Sequence, residues 1–183
     1  RRDSYEDSKL SMYQTSLQTD LPLPANNLLS IGVDGISETM DSPRVSAGEN
    51  CDPDMPSASC QRVNRQRGAL FAQDSFTPFV DPYLTIVAGT RAEVDSDFGF
   101  INVPRLAVRY DPVPVIKLRA SIGKGYRAPT FKELYLRFDN PSVGYTVRGN
   151  RALKPERSTG YQVSADWRVI SLLNLNITGF RNE

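Results

Sequence analysis

The sequence predicts an all-β fold: an antiparallel sheet of about eight strands with short turns at one end and long loops at the other, as in the wall of a transmembrane β-barrel. Three observations predict it. Apolar and polar residues alternate with a period of two in segment after segment. Clusters of Pro, Gly, Asn and Asp punctuate those segments. The connections are alternately short and long. A soluble β-sandwich shows the same alternation, with its apolar side chains turned to a dry core. A barrel wall inverts it, with apolar side chains toward lipid and polar ones toward a wet lumen. The period leaves both architectures open, and the turn lengths favour the barrel.

Taken in order, Leu10–Leu21 places Tyr13, Leu17 and Leu21 on one face, and Pro22-Leu-Pro-Ala-Asn-Asn27 turns the chain. Leu28–Met40 is the second strand, and a long polar loop spans 41–66. Gly68–Thr77 returns with an ambiguous facing, because Leu70 and Phe71 cannot both point to lipid. After Pro78-Phe-Val-Asp-Pro82, Tyr83–Val94 sets Leu84, Ile86, Ala88 and Val94 against Thr85, Gly89, Arg91 and Glu93. An intermediate connection covers 95–104. Arg105–Tyr110 then turns Leu106, Val108 and Tyr110 outward, opposite Arg105 and Arg109. Asp111-Pro-Val-Pro114 leads to Val115–Gly123, with Ile116, Leu118, Ala120 and Ile122 opposite Lys117, Arg119 and Ser121. A second long loop covers 124–157. Tyr161–Val169 and Leu172–Phe180 complete the set, with Asn182-Glu183 reading as a continuing strand. Tyr110 and Trp167 fall near the short-turn ends, where an aromatic girdle sits.

Composition excludes several functions. The 183 residues carry 22 Lys+Arg against 21 Asp+Glu, without the basic excess of a nucleic-acid binder. No apolar run approaches the ~18 residues of a membrane-spanning helix, which says nothing about barrel strands. Arg1-Arg-Asp-Ser-Tyr has no apolar core of a signal peptide and no initiator Met, so the chain reads as a slice of something larger. There is no histidine, which removes Ser-His and Cys-His catalysis. Cys51 and Cys60 share a polar, Pro-rich loop, and a disulfide between them is the natural reading, implying an oxidising compartment. Such a bond removes about 2–3 kcal/mol of unfolded-state entropy. Gly123-Lys124 lacks the earlier glycine of a phosphate-binding loop, because Leu118 stands there. Asp95 and Asp97 read as solvated charges rather than as Ca²⁺ ligands.

The 124–157 loop is basic and aromatic. Lys124, Arg127, Lys132, Arg137, Arg148, Arg151, Lys154 and Arg157 face only Glu133, Asp139 and Glu156, with Tyr126, Phe131, Tyr135, Phe138 and Tyr145 interleaved. Guanidinium forks suit carboxylate and catecholate oxygens, and aromatic faces add stacking and cation–π contacts. Candidate ligand-binding residues are therefore Tyr126, Arg127, Lys132, Tyr135, Arg137, Tyr145, Arg148 and Arg151. The competing reading is that these charges pair within the loop or face lipopolysaccharide phosphates. Pro129 forces Ala128 into extended geometry and ends the strand. Thr130 then caps a short helix over Phe131–Tyr135, with Glu133 at its third position.

Tyr126-Arg-Ala-Pro129, Glu133-Leu-Tyr135 and Asn150-Arg-Ala-Leu-Lys-Pro-Glu156, in this order, resemble the signature of TonB-dependent outer-membrane receptors. Ala69-Leu-Phe-Ala-Gln-Asp-Ser-Phe76 and Pro104-Arg-Leu-Ala-Val-Arg-Tyr-Asp-Pro112 are similar to two strands of the same family. Arg151 departs from the pattern, where the family has Pro. The resemblance implies that Ala128, Pro129, Glu133, Leu134, Asn150, Leu153, Lys154, Pro155 and Glu156 form a structural motif, and that residues 1–183 are about a third of a barrel of about 22 strands. The plug and the TonB-contacting segment would lie elsewhere. It further implies residence in the outer membrane, amid lipid and lipopolysaccharide, no enzymatic activity, no cofactor, and import of a scarce solute driven by TonB–ExbB–ExbD. A ferric siderophore suits the basic, aromatic loop best. Cobalamin and haem are the alternatives, with Tyr135 or Tyr145 as the haem ligand in the absence of histidine. A small non-transporting barrel or adhesin is the rival outside the family.

Overall fold

The computed structural model describes residues 8–45, 61–140 and 142–183. The chain forms β1 (Lys9–Leu23), β2 (Asn27–Asp41), β3 (Arg62–Val80), β4 (Tyr83–Asp95), β5 (Gly99–Val113) and β6 (Ile116–Arg127). A short helix, α1 (Phe131–Tyr135), and a small hairpin, β7 (Arg137–Asn140) with β8 (Tyr145–Arg148), then precede β9 (Glu156–Ile170) and β10 (Leu173–Asn182). The main sheet has eight strands in the order β1-β2-β3-β4-β5-β6-β9-β10. Every neighbouring pair is antiparallel. This is an uninterrupted meander, with β7 and β8 forming a separate sheet inside the second long loop. No helix among the described residues is long and apolar enough to cross a membrane.

The facing of the side chains separates barrel wall from sandwich. Leu17, Val33 and Leu70 lie side by side across β1, β2 and β3 and are all exposed. Leu106, Ile122 and Tyr161 form an equivalent exposed row across β5, β6 and β9. The opposite face is polar and more enclosed: Glu93 is 8% exposed and Ser164 6%. Arg91 reaches across β3 to Asp34 on β2 and also binds Glu93 at 3.1 Å. The residue it passes over is Ala69, directly opposite both Asp34 and Glu93 and small enough to be bridged. Arg67–Glu38 (3.1 Å), Arg109–Asp111 (2.6 Å) and Arg119–Asp166 continue the charged face. With their guanidinium groups partly open to water, these pairs contribute about 1 kcal/mol each at most. Their larger effect is on facing, since a one-residue slip would turn every one of these charges toward lipid.

Register also settles the ambiguous strand. Leu70 is exposed on the apolar face, and Phe71 turns to the polar face, where it lies on Gly32. A Cβ on Gly32 would come within 2.2 Å of the Phe71 ring. The glycine therefore makes room for an inward aromatic side chain that period alone could not place.

Several strands are longer than the sequence pattern predicts. β3 begins at Arg62 rather than Gly68 and continues through Pro78 to Val80, with a register irregularity between Phe76 and Phe79. β9 begins at Glu156 rather than Tyr161. The expected connection over 95–104 is a tight turn at Ser96–Phe98, and β5 starts at Gly99. Residues 95–104 read as a connection, with Pro104 at its end. Pro104 instead sits opposite Thr90 in an unbroken β4–β5 ladder, while the β5–β6 ladder stops at Arg105–Gly123, one residue short of it. A residue without N–H ends the ladder only on the side its nitrogen faces. Beyond Gly123, β6 pairs with β9 alone and carries the chain into the long loop. A transmembrane strand needs about 9–11 residues. Strands of 15 and 19 residues therefore project well past the bilayer on the long-loop side.

Candidate functional site

The projecting ends of β2 and β3, the β4–β5 turn and the 124–157 loop close on one another. Among the described residues, the packed cluster of buried apolar residues lies here: Met40, Val45, Val63 and Phe131, with Tyr135 against them. Local sequence starts the construction. Pro129 ends the extended segment, and Thr130 caps α1. Its hydroxyl accepts from the Glu133 N–H (3.3 Å), and the Glu133 carboxylate accepts from the Thr130 N–H (2.7 Å), a complete capping box. The other end of α1 is closed by the returning chain. Gly149 N–H donates to the Leu136 carbonyl (2.6 Å) and Asn150 N–H to that of Glu133 (2.8 Å). Asn150 Oδ1 accepts from Ala152 N–H (2.9 Å) and shapes the following turn.

Arg127 joins the two halves of the motif. Its guanidinium donates to Glu133 at 2.7 Å and to Glu156 at 3.0 Å, across the mouth of the loop. The Thr130 backbone N–H first, and then Arg127, hold the Glu133 carboxyl down to about 2 from its ordinary 4.5. A carboxyl depressed on folding stabilises the fold above its unfolded pKa, and that contribution is lost as pH falls toward the folded value. The helix is therefore expected to be fully held above pH 4.5 and to loosen progressively between 4.5 and about 2. Amide exchange of residues 131–136 against pH checks this, and Glu133→Gln should flatten the profile.

Arg65 of β3 fastens the loop to the wall. It is 4% exposed, donates from Nε to Asp97 (3.0 Å) and from Nη1 to the Pro129 carbonyl (2.9 Å), and lies between the rings of Phe98 and Phe131, each 5.0 Å from its centre. Asp95, expected to be a solvated charge, is 2% exposed, and its carboxylate accepts the Asp97 and Phe98 N–H groups of the turn. A second seam lies further out. Val45 bridges Leu136, Arg137 N–H donates to the Arg44 carbonyl (2.8 Å), and the Arg44 guanidinium covers Phe138 at 4.8 Å.

The candidate residues separate into three places. Tyr126, Arg127 and Lys132 line a cavity of about 610 Å³ beneath the loop, together with Glu38, Arg65 and Arg67 of the wall. Tyr135 packs on the apolar cluster, with Arg151 over its ring at 5.4 Å. Arg137, Tyr145 and Arg148 lie on the β7–β8 hairpin. There Arg137 holds Asp139 at 3.2 Å, Arg148 stands 4.0 Å from it, and Tyr145 meets Phe138 edge-on. Arg65 falls in the stretch that reads as the 41–66 loop, and Arg67 just ahead of the Gly68–Thr77 strand, so the sequence assigns neither a face. The alternation Val63, Arg65, Arg67, Ala69 was the available signal. Cys51 and Cys60, with the disulfide expected of them, lie outside the described residues.

An eight-stranded meander with an apolar outer face, a charged inner face and an inward-folded loop is a stretch of outer-membrane β-barrel wall. The chain belongs to the TonB-dependent receptor family: the family described as "TonB dependent receptor-like, beta-barrel" matches residues 1–183. The siderophore receptor PirA from Pseudomonas aeruginosa superposes with a TM-score of 0.79 at 24% identity, over 98% of this chain and 33% of that one. The iron-regulated outer membrane virulence protein of Vibrio cholerae is 25% identical over 96% of this chain and 25% of its own length. The vitamin B12 transporter BtuB of Photobacterium profundum is 33% identical over 51% of this chain and 14% of its own. The chain thus spans a third or less of the length of each of these relatives.

Proposed function

We propose that the protein carrying this chain imports a ferric chelate of the siderophore type across the outer membrane, driven by TonB–ExbB–ExbD through a plug contact that lies outside these residues. The observation that carries this reading is the polar, aromatic cavity beneath an inward-folded loop at the long-loop end of the wall. Likeness to PirA and to the iron-regulated vibrio protein across nearly the whole chain supports the same cargo. The loop and the charged inner face supply binding and a wet path. No residue here performs chemistry on the cargo, and the outer face meets lipid and, near the loops, lipopolysaccharide.

A second reading, cobalamin import, is favoured by the identity to BtuB, which is higher though confined to half the chain. Uptake in a strain lacking the receptor separates the two. The ferric reading expects TonB-dependent accumulation of radioactive iron from a ferric catecholate on restoring the protein, with no gain of labelled cobalamin. Cobalamin uptake without iron uptake would overturn it.

A further inference from the structure

Three cations of the loop are already engaged: Arg127 by Glu133 and Glu156, Arg137 and Arg148 by Asp139. Buried donors with no acceptor lie beneath it. Arg65 spends Nε on Asp97 and Nη1 on Pro129, and its buried Nη2 has no partner among the described residues. Arg67 holds Glu38 through Nη2 at 3.1 Å, and its buried Nε is likewise unpartnered. The Tyr126 hydroxyl is the third such group. All three residues line the 610 Å³ cavity, with Thr130 and Lys132 at its loop side. A buried N–H without an acceptor is costly, and here the remaining partners of both guanidinium groups fix them in place. Such donors, fixed before the ligand arrives, favour an oxygen acceptor that enters from outside.

We propose that this cavity is an oxyanion subsite: Arg65 and Arg67 donate to a carboxylate or catecholate oxygen on an aromatic arm of the ligand, inserted under the 124–157 loop beside Tyr126. This deepens the ferric-chelate reading and rests on it for the identity of the ligand. The volume suits a small organic group, and guanidinium forks match paired oxygens. Asp95 Oδ2, also buried and unpartnered, lies within electrostatic reach of Tyr126.

The test uses the intact receptor in detergent, with 2,3-dihydroxybenzoate and its ferric tris complex as probes in titration calorimetry. Arg65 is left alone because it also holds the loop. Arg67→Gln is expected to weaken both probes by about 10- to 100-fold, the range of a hydrogen bond to a charged group, and Tyr126→Phe by a smaller factor. Glu38→Gln frees Arg67 from its carboxylate and is expected to strengthen binding. Resistance of the loop to protease, unchanged in all three variants, shows that the fold is retained. Wild-type affinity for the ferric complex that survives both Arg67→Gln and Tyr126→Phe would overturn the subsite and leave the transport reading standing. So would Glu38→Gln weakening binding as much as Arg67→Gln. Arg67-dependent binding of free dihydroxybenzoate without binding of the iron complex would support the subsite and overturn the ferric reading. Binding of neither probe to the wild type would overturn both.

Discussion

Replacing Arg65 with methionine is expected to release the 124–157 loop while leaving the barrel assembled. Methionine keeps most of the apolar volume between Phe98 and Phe131 but supplies no donor. The Pro129 carbonyl and the Asp97 carboxylate then lose the partners they have at 2.9 and 3.0 Å. A charged hydrogen bond of this kind contributes about 1.5–3 kcal/mol. Two cation–π contacts add about 0.5–2 kcal/mol each where desolvated. The ion pair with Asp97 counts for less, because that carboxylate is 25% exposed. Together about 3 kcal/mol of docking energy is at stake, or on the order of 100-fold in the opening constant of the loop. Limited trypsin digestion should cut after Lys132 and Arg137 in the variant at concentrations that spare the wild type. The barrel itself, followed by its heat-dependent shift in gel mobility, should be unchanged. Arg65→Lys is expected to restore little, because one ammonium cannot lie flat between two rings and serve two acceptors in their plane.

Gly149→Ala is the second large effect, and it acts from the other side of the same loop. A Cβ at this position would lie 2.6 Å from the Leu134 carbonyl carbon and the Tyr135 nitrogen, and 2.7 Å from the Leu134 oxygen. These are backbone atoms of α1, which cannot rotate aside. The requirement is therefore space, and the returning chain must retreat from the helix. Retreat costs the Gly149–Leu136 and Asn150–Glu133 hydrogen bonds that close α1. Overpacking of this kind costs about 1–3 kcal/mol, and the exposed carbonyls of a five-residue helix add to it. Amide exchange over 131–136 should accelerate on the order of 10-fold or more, and Gly149→Val should exceed Gly149→Ala. Equal exchange in wild type and Gly149→Val would show that the two backbones do not approach as described.

How far each feature could be read from the sequence follows the distance over which it is encoded. The Thr130–Glu133 capping box spans four residues, and it was legible as it stands. Strand facing in β6 and β9 was legible because polar and apolar residues alternate without exception over several positions. Leu70 and Phe71 were not, because both are apolar. Their order depends on Gly32, thirty-nine residues away in the sequence and opposite Phe71 only once the register is known. The reach of β5 back to Gly99 was not legible either: Pro104 stays in the β4–β5 ladder and ends only the pairing with β6. For the site, the architectural role of the Arg-Ala-Pro element was visible, since Pro129 and Thr130 act on their neighbours. The fastening by Arg65 was not: Arg65 and Pro129 are separated by 64 positions, and the segment carrying Arg65 has no motif of its own.

The central claim is that the apolar face of this sheet meets lipid and the charged face meets the lumen. Nitroxide labels test it most directly, placed one at a time at Leu118 and Ser121 of the intact receptor in a bilayer, with Cys51 and Cys60 replaced by serine. Leu118 lies on the exposed apolar face beside Tyr110 and Ala165, and Ser121 on the opposite face beside Ala107 and Gln162. The expected result is a label at 118 that collides readily with oxygen and poorly with a water-soluble nickel chelate, and a label at 121 that does not share this preference. A label at 118 that is immobile and shielded from both quenchers would place Leu118 in a dry core and contradict the account.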